Sequence, residues 1–276
     1  MSTMLETMTG RGPDSAGFAI YGADASGVKL TLRGPDRASL SDAVSRLEGR
    51  LGRSFEAVAR DTHTVIDAPA ESEAAIRDFL AAEAPGIDVV SAGRRMEIYK
   101  EVGLPAAVAA RFDLAGMTGT HGIGHTRMAT ESAVTTNGAH PFSTGTDECL
   151  VHNGSLSNHN DMRRRLEREG LTFATKNDTE VAAGYLSWRM REGASLKQAL
   201  ESSLSDLDGF FTFVVGTETG FAVVRDPIAC KPAVMAETDD YVAFGSEYRA
   251  LVALPGIASA RVFEPEPATV YAWERH

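Results

Sequence analysis

Residues 119–154 constrain this chain more than any other stretch. They hold four of its seven histidines, His121, His125, His140 and His152, among many glycines and threonines and few charges. Arg127 stands inside a run of short residues, Thr126-Arg-Met-Ala-Thr130, and the stretch closes on Asn153-Gly154 just after the apolar step Cys149-Leu-Val151. Strand-like pieces broken by turn residues read as loops carried on a sheet, and sites concentrate on such loops.

The flanking sequence supplies that sheet and its cover. Residues 1–9 pattern as the end of a helix, and 10–17 as a turn rich in Gly, Pro, Asp and Ser. Residues 18–21 and 28–32 read as two strands joined by a hairpin turn at 24–27. Residues 36–52 place Leu40, Val44, Leu47 and Leu51 on one helical stripe. A β-α-β-β-α order is expected over 55–112, as a lobe inserted into one main domain covering 1–276: a strand at 55–66, a helix at 71–84, a strand pair at 87–92 and 95–100, and a helix at 104–112. Beyond the central stretch, helices are expected at 158–169, from Asp178 to Gly193, and from Ser195 to Leu207, followed by a series of strands from Phe210 onward. Helices packed on antiparallel-looking strands make an α+β fold.

Composition narrows the class. The net charge of −11, from 27 basic and 38 acidic residues, argues against a nucleic-acid partner. No run of 18 apolar residues suggests a membrane span, and the N-terminal residues show no basic-then-apolar leader. Two cysteines, Cys149 and Cys230, make no disulfide framework, so a reducing, cytoplasmic setting is expected.

The candidate chemistry lies in a few side chains. Asn153-Gly154 could offer an amide N–H and a close backbone N–H to an oxyanion, or could be a hairpin turn. Arg127 could grip a carboxylate bidentately, or make a surface ion pair. Asp178 could receive a substrate ammonium, or cap its helix. His121 and His125 have i, i+4 spacing, but Gly122 and Gly124 disfavour the helix a zinc site would need, so no metal is expected and a His-ligated metal hydrolase is the weakest reading. Gly122-Ile-Gly124 lacks the rest of a phosphate-binding loop, and no cofactor is implied. Both cysteines sit in apolar runs, where a thiol usually behaves as a buried hydrophobe.

Eight fragments, taken in order, resemble one family. They are Arg11-Gly-Pro-Asp-Ser-Ala-Gly17, Gly124-His-Thr-Arg-Met-Ala-Thr130, Ala139-His-Pro-Phe142, Val151-His-Asn-Gly154, Asn177-Asp-Thr-Glu180, Asp208-Gly-Phe-Phe-Thr-Phe213, Arg225-Asp-Pro227 with Lys231-Pro232, and Phe244-Gly-Ser-Glu247. The series resembles the class II glutamine amidotransferases of the N-terminal-nucleophile type, over nearly all the chain except about 35–115. Lys100-Glu-Val-Gly103 looks closest to the amidotransferase subunit of glutamate synthase-like enzymes, including N-methylglutamate synthase.

The resemblance implies a four-layer αββα sandwich. It implies hydrolysis of L-glutamine to glutamate and ammonia, passed to a larger synthase subunit that would be flavin-dependent. Arg127 would hold the glutamine α-carboxylate and Asp178 its α-ammonium. Asn153 and Gly154 would form the oxyanion hole, Thr130 and His140 would line the pocket, and Arg11 would support the loop beside the nucleophile. The family nucleophile is an N-terminal cysteine in a strand ahead of the Arg-Gly-Pro-Asp motif. Only ten residues precede Arg11, and none is cysteine. The expectation is therefore either a start set too far downstream or an inactive variant that binds glutamine or serves assembly.

Overall fold

Seven consecutive residues, Ser15–Tyr21 (β1), are all buried, which places this strand inside the molecule with both faces covered. The computed structural model describes residues 1–129 and 133–274. Ahead of β1, a short helix, Ser2–Thr7 (α1), turns Leu5 inward. The chain continues through Val28–Arg33 (β2), Arg37–Leu51 (α2), Glu56–Arg60 (β3), His63–Ala68 (β4), Glu73–Glu83 (α3), Asp88–Gly93 (β5), Met96–Val102 (β6), Pro105–Arg111 (α4) and His121–Arg127 (β7). Then come Phe142–Gly145 (β8), Glu148–Leu156 (β9), His159–Arg168 (α5), Asp178–Arg191 (α6), Leu196–Asp206 (α7), Gly209–Thr217 (β10) and Gly220–Arg225 (β11). Val234–Glu237 (β12), Val242–Gly245 (β13), Arg261–Phe263 (β14) and Val270–Glu274 (β15) complete it.

The body is two antiparallel sheets stacked between helices. One has the order β6-β1-β7, the other β15-β11-β10-β9-β8. Between them lie Ala19, Tyr21, Met96, Ile98 and Ile123 of the first sheet and Cys149, Val151, Val214 and Val223 of the second. The outer face of the first sheet packs Phe18 and Tyr99 against Val108 and Ala109 of α4 and Leu5 of α1. On the second sheet, Phe211, Phe213 and Val215 face α6 and α7, while Val214, one residue out of phase, faces the other sheet. The result is the four-layer αββα sandwich, an α+β architecture. A third sheet, β13-β12-β14, adds Met235 to the inter-sheet core.

Helix boundaries follow their caps. Asp36 accepts the Ser39 amide at the start of α2, and left-handed Gly52 ends it. Ser195 and Gln198 form a reciprocal capping box on α7. Gly193, at φ +96, closes the turn after α6.

Three local expectations change. The hairpin expected at 24–27 is a crossover: β1 pairs with β6 and β7, whereas β2 pairs with β4 and β5. The strand expected at 55–66 is two strands, β3 and β4, folded back at Asp61, whose φ is +51. The strand pair expected at 87–92 and 95–100 is split between sheets. Consequently the β-α-β-β-α lobe expected at 55–112 is redrawn. β3, β4, α3 and β5 join β2 and α2 in a four-stranded sheet with its own core around Leu30, Leu32, Leu40 and Ile66. β6 and α4 belong to the body, because Met96 and Ile98 face the second sheet and Val108 packs on the first.

One carboxylate fastens the turn between lobe and body. Asp147, buried and at φ +54, accepts the amides of Arg94 (2.6 Å), Arg95 (2.9 Å) and Met96 (2.9 Å), and its carbonyl takes the Tyr21 hydroxyl at 3.2 Å. Replacing it leaves three amides without an acceptor. Asp147→Ala should cost about 3–5 kcal/mol in chemical denaturation. A loss under about 1 kcal/mol would show that water replaces the carboxylate.

Candidate active site

The inner faces of the two sheets are apolar at one end and polar at the other, and at the polar end they part around an open cavity of about 1250 Å³. Arg11, Arg127, His140, Asn153, Gly154 and Asp178 all line it. Thr130, also expected at the pocket, lies outside the described residues.

Arg127 ends β7, and the loop carrying Arg11 secures that end. The Asp14 amide donates to the Arg127 carbonyl at 3.1 Å, and the Asp14 carboxylate accepts the Ala129 amide at 2.8 Å. Gly12 lies so close that a Cβ there would sit 2.3 Å from the Thr126 carbonyl carbon. Arg127 is only 8% exposed. Burial pulls the guanidinium down from its usual value, while Asp14 and Asp178 favour its charge. Arg11 itself reaches Glu247 at 2.9 Å, joining two distant motifs across the cavity.

Asn153 and Gly154 lie within β9, opposite Thr212 and Phe211 of β10, so the hairpin-turn reading does not hold. Gly154 has φ +148, and a Cβ would stand 1.9 Å from the Phe210 carbonyl oxygen. Only glycine fits. The Asn153 carboxamide is held at both ends: Oδ1 meets His125 Nε2 at 3.2 Å, and Nδ2 donates to Ser246 Oγ at 2.9 Å.

Asp178 does not cap α6. Asn177 does, accepting the Thr179 amide at 2.8 Å. Asp178 is thereby free to accept the Leu156 amide with one oxygen, at 2.9 Å. Its other oxygen lies 3.4 Å from the Thr179 hydroxyl and 3.8 Å from His152 Nδ1. Thr179 is a hub, since His140 Nε2 and His152 Nδ1 meet its oxygen at 2.8 and 3.1 Å. Asp178, His140 and His152 thus meet at one hydroxyl.

His140 belongs to the loop after the undescribed residues. Lys100 of β6 holds this loop through the carbonyls of Ala139 (2.9 Å), Pro141 (3.2 Å) and Asn137 (3.4 Å). Burial brings the Lys100 ammonium down to about 8, against the pull of Glu180 and Asp88. The neighbouring Glu101 accepts hydroxyls from Thr62 and Thr136, tying loop to lobe.

Neither cysteine is placed to attack. Cys149 is buried between the sheets beside the Tyr21 hydroxyl, and burial pushes its thiol up to about 11. Cys230 is exposed and is not among the residues lining the cavity. The metal reading also loses its geometry. His121 and His125 share an extended strand, so four residues separate them by about 13 Å. His121 instead stacks on Tyr21, with ring centroids 4.1 Å apart. Among the described residues, no group of three His, Cys, Asp or Glu is placed to hold a metal.

A glutamine amidotransferase domain profile matches residues 125–253. The glutamine amidotransferase-like protein GlxB of Rhizobium meliloti (strain 1021) is 62% identical over 275 residues, covering 99% of this chain and 91% of that protein. A putative glutamine amidotransferase of Methanothermobacter thermautotrophicus is 35% identical over 285 residues, covering 98% of this chain and 93% of that protein. This chain belongs to the glutamine amidotransferase family. A solved structure described as the allosteric regulatory enzyme of purine biosynthesis superposes with a TM-score of 0.64 at 22% identity, over 99% of this chain but 43% of that one. The two share the four-layer fold.

Sequence reasoning passed over Ser246, Thr179 and His125 as site residues. Each sits inside a quoted motif, but which side chain each one meets depends on contacts between distant segments. The buried histidines also make a measurable prediction. Burial lowers His125 and His152 to about 4, His63 to about 3, and His140 well below its usual value. Their folded values lie below the unfolded one, near 6.5, so the folded state resists protonation. Stability they support is complete above about pH 6.5 and is lost as pH falls toward 4. Each contributes up to about 1.4 kcal/mol per pH unit in that window. His63→Phe should flatten the slope of unfolding free energy against pH by up to one proton, and an unchanged slope would refute this account.

Proposed function

We propose that this chain binds L-glutamine in the cavity and serves as the glutaminase subunit of an amidotransferase, releasing glutamate and ammonia for a synthase partner. The observation that carries the reading is the presence, in one cavity, of a nearly buried guanidinium, a helix-start carboxylate and the Asn153-Gly154 pair. An amino-acid substrate needs one cationic and one anionic grip. Arg127 takes the α-carboxylate as a bidentate fork, and Asp178 takes the α-ammonium. The side-chain amide then reaches Asn153 and Gly154, whose N–H groups stabilise the oxyanion formed on attack.

His140 lines the pocket chiefly as a wall, since Thr179 occupies its Nε2. Thr130 is assigned to the same pocket by its motif. Arg11, paired with Glu247, supports the loop beside the attacking group. By the resemblance that group is an N-terminal cysteine thiolate whose own amine acts as base, and none of the ten residues ahead of Arg11 supplies it. The partner is a glutamate synthase-like, flavin-dependent subunit, and the assembly is cytoplasmic.

A second reading, glutamine binding without hydrolysis, is favoured by one observation: neither cysteine of this chain is placed to attack from the cavity. Calorimetry and ammonia release separate the two. L-glutamine should bind saturably, with Arg127→Ala weakening it by about 100-fold or more. Binding with ammonia release in the presence of the synthase partner supports hydrolysis. Binding without release supports the second reading, and the absence of saturable binding would sink both.

A further inference from the structure

Every hydrogen-bonding group of Asn153 matters if it is to face an oxyanion. A carboxamide has one acceptor end and one donor end of nearly the same shape. Turned by half a rotation, it would present Oδ1 where Nδ2 stood and repel the charge it should stabilise. Something must choose between the two orientations. Ser246 cannot, because a hydroxyl donates or accepts equally well.

We infer that His125 is the positioning residue that fixes the Asn153 carboxamide, donating from Nε2 to Oδ1 so that the amide nitrogen is turned to Ser246 and the cavity. His125 stands on β7 and Asn153 on β9, in opposite sheets, and the two meet at 3.2 Å. Oδ1 only accepts, so this hydrogen bond exists only in the tautomer that carries the proton on Nε2. Burial keeps the imidazole neutral near pH 7, and the ring packs at a tilt of 33° against His140 with centroids 4.2 Å apart, which restricts its rotation. Nδ2 has two hydrogens. Ser246 takes one at 2.9 Å, and the second is left for a ligand. A carboxamide pinned at both ends pays little reorganisation when charge develops against it.

This inference rests on the reading of Asn153 as an oxyanion donor, and its test is separable from that reading. NMR of the full chain reports the His125 tautomer and the Asn153 side-chain amide pair directly, with or without activity. The wild type should show His125 protonated at Nε2 and one slowly exchanging Asn153 amide pair. His125→Phe keeps the ring volume but removes the donor, so the pair should broaden or shift. His125→Gln, whose amide reproduces a donor near the Nε2 position, should restore it. Both variants should bind L-glutamine within about threefold of wild type, because the grips at Arg127 and Asp178 are untouched. Ammonia release, where the wild type shows it, should fall by about 10- to 100-fold in His125→Phe and recover in His125→Gln. An unchanged Asn153 pair in a folded His125→Phe protein, or a proton found on Nδ1, would overturn the inference. Loss of glutamine binding in the wild type with the Asn153 pair intact would overturn the reading of the site and leave the clamp standing.

Discussion

The stacking of β7 and β1 over β9 and β10 is the constraint on which the rest depends. Side chains alternate along a strand, so each inner face is a fixed sequence of every second residue. On β7 it runs Ile123, His125, Arg127, and on β9 it runs Cys149, Val151, Asn153. On β1 it runs Tyr21, Ala19, Gly17, Ser15, and on β10 it runs Gly216, Val214, Thr212. The registers place Ala19 beside Ile123, Gly17 beside His125, Val214 beside Val151, and Thr212 beside Asn153. All four faces therefore turn from apolar to polar at the same level. Below that level the two faces pack into the apolar core between the sheets, whose upper members Ile123, Val151 and Val214 also line the cavity. Above it, closure would bury polar groups without partners, and the cavity opens instead.

The same change of character explains why the site holds so many histidines. A buried imidazole that stays neutral can donate with one nitrogen and accept with the other. His125, His140 and His152 thus bond Asn153 and Thr179 without adding charge to the cavity. The grips remain Arg127 and Asp178, one of each sign. Gly154 serves the same end by absence: with no Cβ, the backbone passes close to the Phe210 carbonyl and His152.

Much of this was legible in the sequence, and the misses share a cause. Helices with caps and stripes, such as 36–52 and Ser195 to Leu207, were recoverable because their signals are local. Arg127 stood out as a charge among short residues outside any helix, Asp178 as a cap candidate, and Asn153-Gly154 by its turn chemistry after an apolar step. The hairpin at 24–27 failed because Asp24 to Gly27 carries turn residues whether the chain folds back or crosses to another sheet. The lobe boundaries failed because 87–92 and 95–100 look alike as strands, and only burial against Leu30 or against Val151 assigns them to different sheets. Asp178 as a cap was displaced by its neighbour: Asn177 has the same capping chemistry, and its extended backbone, with ψ 136, decides between them.

The register also accounts for the loop that bears His140. Lys100, Gly17 and His125 lie in one cross-strand row on β6, β1 and β7. The loop is laid along this row. Its carbonyls meet the Lys100 ammonium, and the His140 ring covers His125. A Cβ at position 17 would stand 2.2 Å from the His140 carbonyl oxygen, so the middle of the row must be glycine. Glu101, one residue on, points to the other face of the strand, yet it holds Thr136 of the same loop. Near the end of β6 the two adjacent charges, one on each face of the strand, thus hold the segment that walls the cavity.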